Sequence, residues 1–223
     1  MYMINIDGPN GIGKSSVVDK LVTILSEKGY STKYIHFHRR DTLLGKTIQK
    51  VLDGDEKLSP YALQMIYSAD RTEFSNVDYK TLYESGVDIL IVDRYTTSGL
   101  VYGMLGGVSP EDILALEQRI VYPDVNIILR ASSKTLQNRL ESRVLDTIKE
   151  FKMNDTPEIS KLLNSSIQRD SDLSKQTKKL ESMIHFYNKV CQYVQPCSYI
   201  NAEQELDLVV NDVLNCIKQY IEC

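Results

Sequence analysis

Dense apolar runs alternate along this chain with amphipathic stretches, and the alternation predicts its elements. Residues 3–6, 32–37, 87–92, 124–129 and 198–200 read as strands. The stretches 16–27, 42–52, 78–85, 133–143, 172–194 and 203–221 read as helices; in 42–52, Leu44, Ile48 and Leu52 share one face. Two helix starts carry a capping hydroxyl followed by proline at the first helical position, Ser59-Pro60 and Ser109-Pro110, and the first of these helices should reach Arg71. Gly86 ends the helix over 78–85. The runs 89–92 and 125–129 are apolar without alternation, the mark of strands covered on both faces by helices. The pattern therefore predicts an α/β fold: a doubly wound parallel sheet of about five strands flanked by helices. Residues 144–171 have no clear period and read as an inserted lid within a single domain spanning 1–223.

Ligands in such folds sit at the carboxyl ends of the strands. Here that rule selects residues 8–15, 36–41 and 93–95. Composition adds little. A chain of 223 residues suits one domain, and a net charge of −4 gives no sign of a nucleic-acid or membrane surface. No apolar run reaches membrane-spanning length, and the N-terminus is already strand, leaving no room for a signal peptide. The four cysteines, Cys191, Cys197, Cys216 and Cys223, match no zinc or redox spacing and read as reduced thiols of a cytoplasmic protein.

The chemistry begins at Gly8-Pro9-Asn10-Gly11-Ile12-Gly13-Lys14-Ser15, which fits G-x-x-x-x-G-K-[ST] between a strand and a helix. Backbone N–H groups of such a loop and the following helix terminus cradle phosphates. Gly8, Asn10, Gly11, Gly13, Lys14, Ser15 and Ser16 are thus expected to bind ATP, with Lys14 on the β- and γ-phosphates and the Ser15 hydroxyl on Mg²⁺. Asp93, closing the apolar run 89–92, is the second candidate at the metal, partly through water. Arginines gather where the acceptor should lie: Arg39 and Arg40 after strand two, Arg94 after Asp93, and Arg71 at a helix end. Their planar forks suit phosphate oxygens; Arg94 is expected to be catalytic, whereas Arg39 alone reads as a solvated surface residue. Tyr67 and Arg71 are four apart and share a helix face, placed to stack on a base and to bond its edge. His36 and His38 read as structural or as pocket walls.

Two segments, Ser68-Ala69-Asp70-Arg71 and Asp93-Arg94-Tyr95-Thr96-Thr97-Ser98 with Tyr102, resemble the signatures of the thymidylate kinase family of P-loop nucleoside monophosphate kinases. Residues 37–45, Tyr122-Pro123-Asp124 and Ile200-Asn201-Ala202 resemble further family segments, in order across nearly the whole chain. The resemblance implies phosphorylation of dTMP to dTDP by ATP and Mg²⁺ in a homodimer. It implies that Arg94 and Arg40 hold the acceptor phosphate, that Tyr67 and Arg71 hold thymine, and that Phe37, Ser98, Tyr102 and Asn10 line the acceptor site. Asn201 and Ala202 would border adenine. The phosphate loop lacks the arginine some members carry, so the lid must supply one; Arg143 and Arg169 flank the lid, Arg143 is the candidate, and the alternative is that both are ordinary surface arginines. Gly103 stands where many members have Gln.

Two other functions compete. A deoxynucleoside kinase shares the fold but needs a base for a neutral 5′-hydroxyl; such enzymes place Glu after strand two, where this chain has His38-Arg39-Arg40. A non-catalytic nucleotide-binding module would have no need of Lys14, Ser15, Asp93 and Arg94 together.

Overall fold

A computed structural model of the protein describes residues 1–153 and 177–221. Five parallel strands form one sheet in the order β2-β3-β1-β4-β5. They are β1 (Tyr2–Asp7), β2 (Thr32–His36), β3 (Ile89–Asp93), β4 (Val125–Arg130) and β5 (Cys197–Asn201). Every residue of β3 is buried, as its unbroken apolar run requires. Helices α1 (Lys14–Glu27), α2 (Leu43–Asp53) and α3 (Pro60–Glu73) lead through a π-turn at Phe74–Asp78 into α4 (Tyr79–Glu84). Then follow α5 (Thr96–Leu105), α6 (Pro110–Leu116), α7 (Ser133–Met153), α8 (Thr177–Tyr187) and α9 (Leu206–Ile221). The expected caps are in place: Ser59 Oγ accepts from the Ala62 amide, and Ser109 Oγ from the Asp112 amide at 3.1 Å. The main core joins β1, β3 and β4 to α1, α5, α8 and α9, and a smaller one gathers Phe37, Phe74, Tyr95 and Val92.

Three expectations change. No helix was expected over 96–105, because α5 is buried on nearly all sides and has no polar face to give it a period. The helix beginning at Ser133 does not stop at Arg143 but continues to Met153, taking in the first residues of the expected lid. The rest of that lid, including Arg169, lies outside the described residues. The helix expected to run to 194 ends instead at Tyr187, and a 3₁₀ turn follows at Val190–Gln192.

The reading of four reduced thiols is also corrected: Cys191 and Cys197 form a disulfide. The turn after α8 doubles the chain back into β5 and sets their Cα atoms 5.3 Å apart, within bridging range. Cys216 is free. No helix among the described residues is long and apolar enough to cross a membrane.

Candidate active site

Because β1 lies between β3 and β4, the loop leaving β1 meets residues at the carboxyl ends of both neighbours. Gly8 can hold no side chain: its φ is 151°, and a Cβ would lie 2.7 Å from the Leu129 carbonyl oxygen. The loop passes Asn10, Gly11 and exposed Gly13 and enters α1 at Lys14, leaving Ser15 and Ser16 exposed at the helix start. Lys14 is buried, and its Nζ donates to the carbonyls of Gly8 (2.8 Å) and Pro9 (3.2 Å). Burial, helped by the charge of Arg94, lowers its pKa to about 8, although Asp93 and Asp7 act against the shift.

Asp93 ends β3 and is 3% exposed. Its Oδ2 takes bonds from two residues of the edge strand β2, His36 Nδ1 at 3.1 Å and Tyr34 Oη at 3.3 Å. Its Oδ1 is buried with no hydrogen-bond partner among the described residues. Burial alone would raise the Asp93 pKa, but Lys14, the His36 bond and Arg94 together hold it below the usual carboxylate value. Arg94 follows with φ 61°, a left-handed backbone that a non-glycine residue adopts at a cost. From there its guanidinium reaches Asn10 Oδ1 in the phosphate loop and donates to Tyr102 Oη at 3.2 Å. The turn between β3 and α5 is thereby bonded to the loop after β1.

Beneath these groups lies Asp7, fully buried, which the sequence reading did not single out. It accepts from the Gly8 amide (2.7 Å), Thr97 Oγ1 (2.6 Å), Ser98 Oγ (3.0 Å) and Tyr187 Oη (3.1 Å). Ser98, expected at the acceptor, spends its hydroxyl in this network. Burial and then the charge of Asp7 push the Tyr187 phenol well above its ordinary pKa. The one signal available was position, since Asp7 is the last strand residue before the glycine loop.

On the acceptor side, Tyr67 is half-buried on α3, its pKa pushed up to about 12 by burial. Its neighbours in charge are Arg71, Arg94 and Tyr102. Arg71 is 1% exposed and forms a buried ion pair with Glu117. Phe37 is also 1% exposed and packs edge-on against Phe74 and Tyr95, so it serves the core beneath the loop rather than an open surface. Arg39 is corrected from solvated to structural: its side chain bonds Asp70 and Asp78 and lies over Phe37 and Phe74. Arg40 is exposed beside a cleft of about 690 Å³ lined by Lys33, Tyr34, His36 and the 38–42 loop.

On the donor side, Asn201 ends β5 and Ala202 is buried beyond it. Arg139 on α7, another residue the sequence reading passed over, donates to the carbonyls of Ile12 (3.0 Å) and Ala202 (2.8 Å). It ties the phosphate loop to the loop after β5. Glu203 takes bonds from the Ser132 amide, Ser132 Oγ and Thr135 Oγ1 at the head of α7, which lower its pKa to about 2. Arg143 is exposed about one turn beyond Arg139 on α7, and its charge contributes to lowering the Lys14 pKa.

Lys14, Arg94 and the buried acid Asp93 are thus brought together beside the phosphate loop, while Arg40 stands exposed at the cleft beside β2. A family model described as thymidylate kinase matches residues 6–213. A curated relative, "Probable thymidylate kinase" of Caldivirga maquilingensis, is 30% identical over 141 residues, covering 63% of this chain and 68% of its own.

Proposed function

The chain belongs to the thymidylate kinase family and is a nucleoside monophosphate kinase, and from that premise we propose that it transfers the γ-phosphoryl group of ATP to dTMP, giving ADP and dTDP. The observation that carries the reading is the bond from Arg94 to Asn10, which joins the acceptor arginine to the donor's phosphate loop. In-line transfer demands that closeness, because positioning and charge neutralisation supply nearly all of the catalysis.

Each residue has a task. Lys14 Nζ, now held by two loop carbonyls, turns to the β- and γ-oxygens when the triphosphate enters. Arg94 and Arg40 hold the acceptor phosphate. One of its oxygens bonds to Pγ as the bond from Pγ to the β-bridging oxygen breaks, and ADP leaves. That attacking oxygen is already deprotonated, so no general base is needed. The His38-Arg39-Arg40 sequence after β2, without an acid, suits such an acceptor better than a neutral hydroxyl. Tyr67 and Arg71 hold the base, and Tyr102, bonded to Arg94, packs near the deoxyribose. Asn201 and Ala202 border adenine, and Arg143 completes the clamp on the transferring group.

The donor set fits Mg²⁺: the Asp93 Oδ1 is buried and unpartnered, and the Ser15 hydroxyl is exposed at the head of α1. When bound, Mg²⁺ would neutralise charge on the β- and γ-phosphates. We further propose a cytoplasmic homodimer packed through α2 and α3, whose exposed faces carry Leu43, Leu52, Tyr61 and Met65.

The test is ADP release from ATP-Mg²⁺ with dTMP, dUMP, the other deoxynucleoside monophosphates and thymidine as acceptors. Turnover should be fastest with dTMP. Phosphorylation of thymidine with none of dTMP would replace this reading with that of a deoxynucleoside kinase.

A further inference from the structure

Four arginines lie on the acceptor side, and they are partnered unequally. Arg39 is held by the carboxylates of Asp70 and Asp78, and Arg71 by that of Glu117. The side-chain bonds of Arg94 go to neutral partners, Asn10 and Tyr102. Arg40 is exposed and makes no hydrogen bond or ion pair among the described residues. Two cations are therefore spent and two are left for an anion.

The Arg71–Glu117 pair is the most secluded of these. The two side chains are 2% and 0% exposed, and the residues stand 46 positions apart in the chain. A guanidinium so deep is costly to bury without a counter-ion. Gly99 of α5 makes the space: a Cβ there would stand 2.8 Å from Arg71 Nη2 and 3.2 Å from Glu117 Oε1. The contact is single rather than a bidentate fork. Arg71 Nε and Glu117 Oε2 are both buried without a hydrogen-bond partner among the described residues, so the pair keeps one donor and one acceptor in reserve.

We propose that Glu117 is a positioning residue for base recognition. It cancels the charge of Arg71 and fixes its guanidinium beneath α5. Arg71 then selects by hydrogen-bond pattern and does not compete with Arg94 and Arg40 for the acceptor's phosphate. The favoured bases present a carbonyl acceptor to the Arg71 donors, as thymine and uracil do at position 4; cytosine presents an amino donor there. This inference rests on the reading that Arg71 faces the base.

The test compares Glu117→Gln, Arg71→Gln and the double variant with the unaltered protein, using dTMP and dCMP. Glu117→Gln should reduce the dTMP-to-dCMP ratio of kcat/KM at least ~10-fold, mostly through KM for dTMP, with KM for ATP unchanged within about twofold. A merely structural role would move both KM values. In the double variant, loss of Glu117 should add nothing to loss of Arg71, since it acts through that residue. If Glu117→Gln does not fold, the neutral double variant against Arg71→Gln carries the same comparison. Unchanged selectivity in Glu117→Gln, or a further loss in the double variant, overturns the proposal while leaving the kinase reading intact. Absence of dTMP turnover in the unaltered protein overturns the kinase reading itself, and this inference with it.

Discussion

Arg94 bonds the turn after β3 to the phosphate loop, and two substitutions separate its two properties. Arg94→Ala removes the guanidinium and should lower kcat/KM for dTMP by roughly 10²-fold or more, the scale of a lost charge-assisted contact of about 3 kcal/mol. Steady-state kinetics with dTMP varied will check it. Arg94→Gly removes the same side chain and also relieves the left-handed backbone at φ 61°. It should be equally inactive yet more stable than the alanine variant by about 1 kcal/mol, or about 2–4 °C in Tm. Equal melting temperatures would mean that the backbone there is unstrained. Lys14 makes a pH prediction. With its pKa lowered to about 8 by burial and Arg94, the free protein loses this charge as pH rises through 8. The cost of burying the ammonium is present at lower pH and is relieved between about 8 and the ordinary lysine value near 10.5, so this residue's contribution to stability rises with pH across that window. Bound phosphates favour the ammonium, so ATP binding near pH 8.5 should take up protons. Calorimetry in buffers of different ionisation enthalpy will detect this, and binding heats that do not depend on the buffer would refute it.

Helices and loops set how those residues are held. The first turn of α2 lies so close to the loop after β2 that a Cβ on Gly45 would stand 1.8 Å from the Arg39 carbonyl oxygen. No backbone atom can yield that much cheaply. Gly45→Ala should shift the segment carrying Arg39 and Arg40, lower stability by about 1–3 kcal/mol, and raise KM for dTMP more than KM for ATP. Thermal unfolding and the two KM values check both parts. At this scale the sequence was informative wherever a period or a cap existed. The starts of α3 and α6 followed from Ser-Pro pairs, and β3 from its apolar run. It was silent where burial erased the period, as in α5, and where partners are distant. Nothing near Arg71 announces Glu117, nothing near Arg139 announces Ile12 and Ala202, and nothing near Asp7 announces Tyr187. Lys14, Asp93 and Arg94 were legible because strand ends and a glycine loop mark them locally; their buried counter-charges are properties of the assembled fold. The His36 bond to Asp93 belongs with these, since it joins neighbouring strands whose pairing the sequence does not state.

For the whole molecule, the open question of assembly has a direct handle. Leu43 is 81% exposed and Met65 50% exposed, a cost in water that a helix-packed dimer would remove. Light scattering during size exclusion should report a dimer for the unaltered protein, and Met65→Glu should shift it towards monomer with the fold intact. A monomer at every concentration would refute the proposed dimer.

The strand order has a consequence for descent. With β1 in the middle, β2 and β3 and the helices between them lie to one side, β4 and β5 to the other. Apart from Asn10, the residues assigned to the acceptor, from Phe37 to Glu117, fall within one stretch of chain. Those assigned to the donor flank it, in the loop after β1 and beyond β4. A lineage with this topology can exchange one substrate by changing a single block of its gene, provided that Asp93, which lies within the block and is assigned to the metal on the donor's phosphates, is kept. The same separation makes residues 37–117 a natural cassette for transplanting acceptor preference between relatives while the grip on the triphosphate is inherited unchanged.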